Sequence, residues 1–204
     1  MTVNPSRLGV HPAVAAAIRK AADALARAGY EVDEVEPPET DAVAELWWRL
    51  AWWEVGALSG AGIRKFGDEG VKRAVEIYLE STSKGDLQAY MKGVAARATH
   101  VRRWLQFLER YPLVLGPVST ELPFLVDFDC QGGLTGEALR KAQRLLIAVN
   151  LLGLPAAAVP TGLSDGIPVG VQIIGSPFRE DLCLDAAEVI EADVGFSIPI
   201  DPRR

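Results

Sequence analysis

Three groups of residues carry the side chains that a hydrolytic enzyme would use. Ser81-Thr82-Ser83-Lys84 matches the pattern Ser-x-x-Lys, in which a lysine activates a serine nucleophile. Cys130 stands in a glycine-containing loop and could pair with His100 as a thiol–imidazole dyad. Asp127 and Asp129 could supply the paired carboxylates of general acid–base catalysis. Each assignment depends on the local structure that surrounds the motif.

That surrounding sequence favours structural roles. Ser81 falls in a polar break between helical patterns, whereas a Ser-x-x-Lys nucleophile begins a buried helix, so we interpret the match as coincidental. Cys130 is interpreted as an ordinary loop thiol, and spacing alone does not imply a two-carboxylate mechanism. Gly60-Ala61-Gly62 follows a helix rather than a strand, which argues against a dinucleotide-binding turn. Two histidines and two cysteines, all dispersed, predict no metal site and no cofactor.

The composition is that of a globular protein. The chain has 204 residues, of which 49% are hydrophobic and 24% charged, with a net charge of −6. This length and composition suit a single domain with one core. No basic run is longer than two residues, as at Arg102-Arg103, so nucleic-acid binding is not expected. No run approaches the roughly 18 apolar residues of a membrane span, and the few cysteines favour the cytoplasm.

Four tryptophans concentrate on one predicted helix, which runs from Asp41 to about Ser59. Trp48 and Trp52 are four residues apart and share a face, with Trp47 and Trp53 to either side. Large aromatic side chains at helical spacing commonly form a core. The alternatives are a wall of a substrate pocket and a contact between subunits.

The remaining patterns predict alternating helices and strands. Pro12 begins a helix that Gly29 ends, and Tyr30 to Val35 is predicted as a strand. Further predictions are Thr40 as a helix N-cap, helices at 68–79, 86–110 and 135–150, and a strand at 113–115 that Gly116-Pro117 closes. The fold class predicted is α/β, a mixed β-sheet flanked by helices.

The stretch from Asn150 to Glu191 has the most distinctive order of glycine and proline. Two short apolar runs, 156–159 and 167–175, are joined by a turn at Ser164-Asp165-Gly166. Arg179 to Glu191 then has the apolar spacing of a helix.

This stretch resembles the C-terminal region of the amidase signature family. The matching motifs, in order, are Asn150-Leu-Leu-Gly-Leu-Pro155, Val159-Pro-Thr-Gly162, Ile167-Pro-Val-Gly-Val-Gln-Ile-Ile-Gly175 and Glu180-Asp181. Leu115-Gly116-Pro117 is similar to the strand that leads into a family loop. The resemblance implies that residues 1–204 form a single domain like the C-terminal half of an amidase, with the N-terminal catalytic portion missing.

The family resemblance implies a catalytic triad that cannot be placed on this chain. Family members use a lysine, a serine in a cis peptide and a nucleophilic serine, held in a Gly/Ser-rich signature. The eight serines here include no adjacent pair. No catalytic residue is therefore assigned, and the chain is expected to be inactive by itself.

Three residues are predicted to contact substrate by the same resemblance. Gln143 aligns with a position where relatives of the glutamine amidotransferase type use an acid, and its neutral amide favours a less polar substrate. The alternative for Gln143 is an ordinary exposed helix residue. Trp48 and Trp52 are the candidate apolar wall.

The function predicted is that of the C-terminal portion of a hydrolase acting on the carbon–nitrogen bonds of carboxamides, supplying scaffold and pocket walls. The alternative is a non-catalytic truncated product or a binding or assembly module. The partners expected are a small-molecule amide in the complete enzyme, and either a second copy or the missing N-terminal half, since a sheet without its central strands would expose apolar edges.

Overall fold

The computed structural model describes residues 1–195 as eight α-helices and three strands. The helices are α1 (Pro12–Arg27), α2 (Thr40–Glu54), α3 (Gly60–Phe66), α4 (Glu69–Glu80), α5 (Leu87–Arg110), α6 (Thr135–Ala142), α7 (Arg144–Leu152) and α8 (Glu180–Val194). The strands are β1 (Leu113–Pro117), β2 (Ala156–Ser164) and β3 (Ile167–Gly175). None of the helices in this described range is both long and apolar enough to cross a membrane.

The strands form one sheet in the order β1-β3-β2, and every pairing in it is antiparallel. The predicted helix-and-strand architecture is confirmed, while the pairings among these strands are antiparallel where a mixed sheet was expected. β2 and β3 form a hairpin through Asp165 and Gly166, whose φ values of 50° and 81° are those of a tight two-residue turn. The predicted turn at Ser164-Asp165-Gly166 is thus confirmed.

Helices cover both faces of the sheet. On one face α1 and α8 bury a cluster centred on Ile18, Val171, Ile173 and Ile190. On the other face α7 lies against Val114 and Ile174, with α2 and α5 packed behind it. α7 is therefore the helix that connects the sheet to α2, which carries the tryptophans.

Several helix ends form where the sequence predicts them. Gly29 has φ +97° and follows α1, and the amides of Gly29 and Tyr30 donate to Ala26 and Leu25, which is a Schellman motif. Asp86 accepts a hydrogen bond from the Ala89 amide at 2.8 Å and caps α5.

Three local predictions are wrong. Tyr30 to Val35 is not a strand; this segment is attached to the chain start, where the Val35 amide donates to the Met1 carbonyl at 2.9 Å. Thr40 is not the cap of α2, since Glu39 occupies that position in the left-handed region with φ 53° and the Thr40 hydroxyl is buried without a partner. The helix predicted from Thr135 to Asn150 is interrupted at Gln143.

One buried cation holds the N-terminal segment on the rest of the fold. Arg144, the first residue of α7, is 1% exposed. Its guanidinium donates to the carbonyls of Pro5, Gly9 and Lys141, and to the side chains of Asn4 and Thr120. Burial lowers the pKa of this group, and the charges of Asp41, Glu36 and Glu121 oppose that change. These acceptors satisfy its donors without a direct ion pair.

Replacing Arg144 with methionine should lower the free energy of unfolding by about 3 kcal/mol, because buried acceptors lose a charged donor. Urea denaturation monitored by circular dichroism measures this change. Arg102→Met is the matched control, because Arg102 is exposed on α5 and should shift stability by no more than about 0.5 kcal/mol. Equal stability of the Arg144→Met variant and the parent chain would contradict the assigned role.

Candidate functional site

The candidate site lies where three aromatic rings meet between α2 and α4. The ring centroids of Trp48 and Trp52 are 5.6 Å apart and edge-to-face. Tyr78 completes the group, with its ring 5.4 Å from Trp48 and 4.6 Å from Trp52. Such distances and tilted arrangements are the favourable ones for aromatic pairs. The structure therefore brings together the two tryptophans that were predicted to share a face.

Tyr78 is the member of this aromatic cluster that sequence reasoning missed. It lies on α4 beside the buried Ile77 and donates its hydroxyl to Asp129 at 3.2 Å. Burial, followed by the Asp129 charge, raises the pKa of the phenol. Tyr78 therefore stays neutral and serves as a hydrogen-bond donor. The apolar spacing of Ala74, Ile77 and Tyr78 along α4 was the pattern that could have identified it.

A cavity of about 440 Å³ opens beside Trp48. The cavity lies between α2, the end of α4 and the start of α6. Its volume is within the usual range of small-ligand sites. Apolar lining comes from Trp48, Ile77 and Leu134. The polar lining comprises Glu45, Arg49, Glu80, Ser81, Thr82, Ser83, Glu137 and Arg140. An amphiphilic small molecule fits such a surface.

The other tryptophans on this helical stretch have different surroundings. Trp47 packs against the cluster around α7 and α5 and against the aromatic cluster. Trp53 donates its indole N–H to the Ser83 carbonyl at 2.7 Å and lines a separate cavity with Leu58 and Tyr90. Trp48 and Trp53 thus line two separate cavities, whereas Trp52 packs behind Trp48 against Tyr78 and does not line the cavity beside Trp48.

Gln143 does not line the cavity beside Trp48. It forms the junction between α6 and α7, with φ −99° and ψ 15°, and is partly buried. Its backbone amide donates to Leu139 and its carbonyl accepts from Ile147. Two residues of α6, Glu137 and Arg140, line the cavity. A contact between Gln143 and substrate remains a prediction.

The alternative catalytic arrangements are not assembled. His100 Nδ1 lies 3.0 Å from a Glu39 carboxylate oxygen, whereas the Cys130 thiol donates to the Gly70 carbonyl at 3.4 Å. Desolvation and the neighbouring carboxylates of Asp129 and Asp127 raise the pKa of Cys130, which disfavours a thiolate nucleophile.

The Ser-x-x-Lys match also has a structural explanation. Ser81 directly follows α4 and its hydroxyl donates to the Tyr78 carbonyl at 2.8 Å. Among the described residues, no group of three or more histidine, cysteine, aspartate or glutamate side chains could hold a metal ion.

The β2–β3 hairpin, which carries most of the family motifs, fixes the positions of neighbouring backbone segments. Gln172 on β3 is 2% exposed and donates its amide to the Pro117 carbonyl at 2.8 Å, fixing the end of β1. A Cβ on Gly170 would lie 2.9 Å from the Val159 carbonyl oxygen, so only glycine allows β2 and β3 to approach this closely. Gly153 ends α7 with φ +70°. Gln172, Gly170 and Gly153 therefore have structural roles, since each fixes the backbone conformation or the spacing of neighbouring segments.

Comparison with known proteins identifies the fold and the family. The Amidase family model matches residues 2–184. Indoleacetamide hydrolase from Bradyrhizobium japonicum is 40% identical over 94% of this chain and 41% of its own length. A glutamyl-tRNA(Gln) amidotransferase subunit from Listeria monocytogenes is 30% identical over 92% of this chain and 43% of its own length. The chain therefore spans less than half the length of these relatives.

Solved structures show the same fold. A bacterial aryl acylamidase of the amidase signature family superimposes with a TM-score of 0.74 at 21% identity, over 96% of this chain and 43% of that protein. A 6-aminohexanoate cyclic dimer hydrolase also gives a TM-score of 0.74, at 23% identity, over 96% of this chain and 45% of that protein. Together with the family model, which spans most of the described residues, these matches show that the chain belongs to the amidase family.

Proposed function

We propose that this chain is the C-terminal part of an amide hydrolase for small aryl carboxamides. In this proposal it supplies the scaffold and one wall of the substrate pocket, while a separate segment supplies the nucleophile. The observation that carries the proposal is the aromatic cluster of Trp48, Trp52 and Tyr78 beside a cavity of about 440 Å³. The name of the relative from Bradyrhizobium, an indoleacetamide hydrolase, supports an aromatic carboxamide as substrate.

The chemistry of the wall supports an aromatic rather than a strongly polar acyl group. Trp48 and Ile77 present apolar surface to the cavity, and an aromatic ring packs favourably against the ring of a tryptophan. The Tyr78–Asp129 hydrogen bond ties the cluster to the loop before α6, so the wall is fixed before ligand arrives. Two free thiols, Cys130 and Cys183, suit a cytoplasmic enzyme.

A second part of the proposal concerns association. In residues 1–195, β2 pairs only with β3 and forms an edge of the sheet. Its side chains Ala156, Ala158 and Pro160 are exposed on one face. Small apolar side chains on an open edge strand are suited to pairing with another strand. We propose that this edge receives the remainder of an amidase fold, and a second copy of this chain when that remainder is absent.

Activity of the assembled enzyme tests the first part. We expect the purified chain to release no ammonia from indole-3-acetamide. The same chain joined to the N-terminal portion of the Bradyrhizobium relative should hydrolyse it, since the nucleophile is then present. Ammonia release measures both reactions. Hydrolysis by the purified chain, or none by the joined protein when it is folded, would contradict the proposal.

Substitution of the wall should change substrate binding selectively. In the joined protein, Trp48→Leu should raise KM for indole-3-acetamide about tenfold, because Trp48 lines the cavity and its aromatic contact surface is lost. KM for acetamide should change by less than about twofold, because acetamide has no ring to contact the wall. Steady-state kinetics measures both constants, and Trp53→Leu is the control because Trp53 lines the separate cavity. A uniform fall in kcat for both substrates would instead indicate a structural role.

The edge strand gives a separate test. The parent chain alone should self-associate, and Ala158→Lys should shift it toward monomer, because a solvated charge on an edge opposes strand pairing. Light scattering with size-exclusion chromatography measures the mass. Ala61→Lys on the exposed face of α3 makes the same change away from the edge. A monomeric parent chain would count against an open apolar edge.

A further inference from the structure

Arg49 is a cation in the cavity beside Trp48 whose contacts within the protein are incomplete. It lies on α2 and lines the cavity. Its Nε atom is buried and has no hydrogen-bond partner in residues 1–195. Among the described residues no carboxylate lies within 4.0 Å of its guanidinium. A buried N–H donor without an acceptor, such as this Nε, is costly unless a ligand supplies one.

The neighbouring charges are already paired or solvated. Arg140 Nη1 lies 3.0 Å from the Asp41 carboxylate, so the second cation of the cavity is neutralised. Glu137 pairs with Lys141 at 2.5 Å. Glu45 and Glu80 are exposed, and solvent screens their charges. Arg49 is thus the cation of the cavity whose charge is not balanced by a carboxylate of residues 1–195.

The rest of the cavity selects the kind of anion. A guanidinium offers donors in a planar fork that matches a carboxylate. Trp48, Ile77 and Leu134 provide an apolar wall for the organic part of the ligand. The acidic side chains at the rim disfavour a multiply charged anion such as phosphate, because repulsion rises with ligand charge. A singly charged carboxylate with an aromatic body fits both features.

We propose that Arg49 makes this cavity a binding site for an arylacetate, the acid that hydrolysis of an arylacetamide releases. The inference rests on the proposed function, because adding water to the carboxamide gives the carboxylate and ammonium. Arg49 contacts the carboxylate and Trp48 contacts the ring. The site favours the acid over its parent amide, which is neutral and accepts through one oxygen. Arg49 therefore sets the preference between substrate and product.

Direct binding to the purified chain tests this site without any hydrolysis. Phenylacetate and phenylacetamide are matched probes that differ in charge, and isothermal titration calorimetry measures their Kd. The parent chain should bind phenylacetate more tightly. Arg49→Gln should weaken phenylacetate binding about tenfold and change phenylacetamide binding by less than about twofold, because a charge-assisted hydrogen bond is lost. Trp48→Leu should weaken both ligands.

Two controls separate binding from folding. Arg102→Gln removes the same charge at an exposed position on α5 and should leave both affinities unchanged. The Tm of Arg49→Gln should equal or exceed that of the parent, since Nε has no partner to lose. Equal affinity of the parent for acid and amide, no binding of either, or unchanged acid binding in a folded Arg49→Gln chain would overturn the inference.

Failure of the Arg49 site can be distinguished from failure of the proposed function by combining the binding and hydrolysis experiments. Hydrolysis of indole-3-acetamide by the joined protein together with unchanged phenylacetate binding in Arg49→Gln would reject the Arg49 site alone. Absence of hydrolysis together with Arg49-dependent acid binding would reject the proposed function and leave the carboxylate site in place.

Discussion

The hydrogen-bond network of Arg144 is the constraint on which the rest of the fold depends. One buried guanidinium joins the segment around Pro5 and Gly9, the loop at Thr120 and the end of α6. Because Arg144 is also the first residue of α7, these contacts fix where that helix begins. A buried cation is tolerated only when its donors are satisfied. The network therefore restricts the relative positions of the N-terminal segment, the loop at Thr120 and the end of α6.

The position of α7 in turn determines the position of the candidate site, because α7 packs between the sheet and α2. α7 packs on the sheet through Val149 and Ile174 and on α2 through Ile147 and Ala44. α2 in turn presents Trp48 and Arg49 to the cavity, while Arg140 of α6 pairs with Asp41 at the start of α2. Trp48 and Arg49 are thus carried by α2, which packs on α7, and α7 begins at Arg144. Such indirect support is what a pocket wall needs if it is to be formed before ligand binds.

Much of the fold could be predicted because local rules decided it. The hairpin turn at Asp165-Gly166, the end of α1 at Gly29 and the cap Asp86 each follow from a residue whose conformational preference is strong. The predictions that were wrong concern competition between a local preference and a long-range contact. Tyr30 to Val35 has the composition of a strand, but its hydrogen-bond partner is the start of the chain, through the Val35 amide and the Met1 carbonyl. Thr40 is a good cap by type, yet Glu39 takes that position and reaches His100 and Arg103 on α5.

The candidate site likewise contains features that the sequence predicts and features that depend on tertiary contacts. The helical spacing of Trp48 and Trp52 required a shared face, so their contact was determined by sequence. Tyr78 comes from another helix, and no local pattern specified that α4 would cross α2 at this point. The sequence alone determined the family, the order of most elements and the tryptophan face, because periodicity and turn chemistry act over a few residues. Only the tertiary structure decided that Arg144 is buried and that no carboxylate of residues 1–195 pairs with Arg49, because burial and charge pairing depend on residues far apart in the chain.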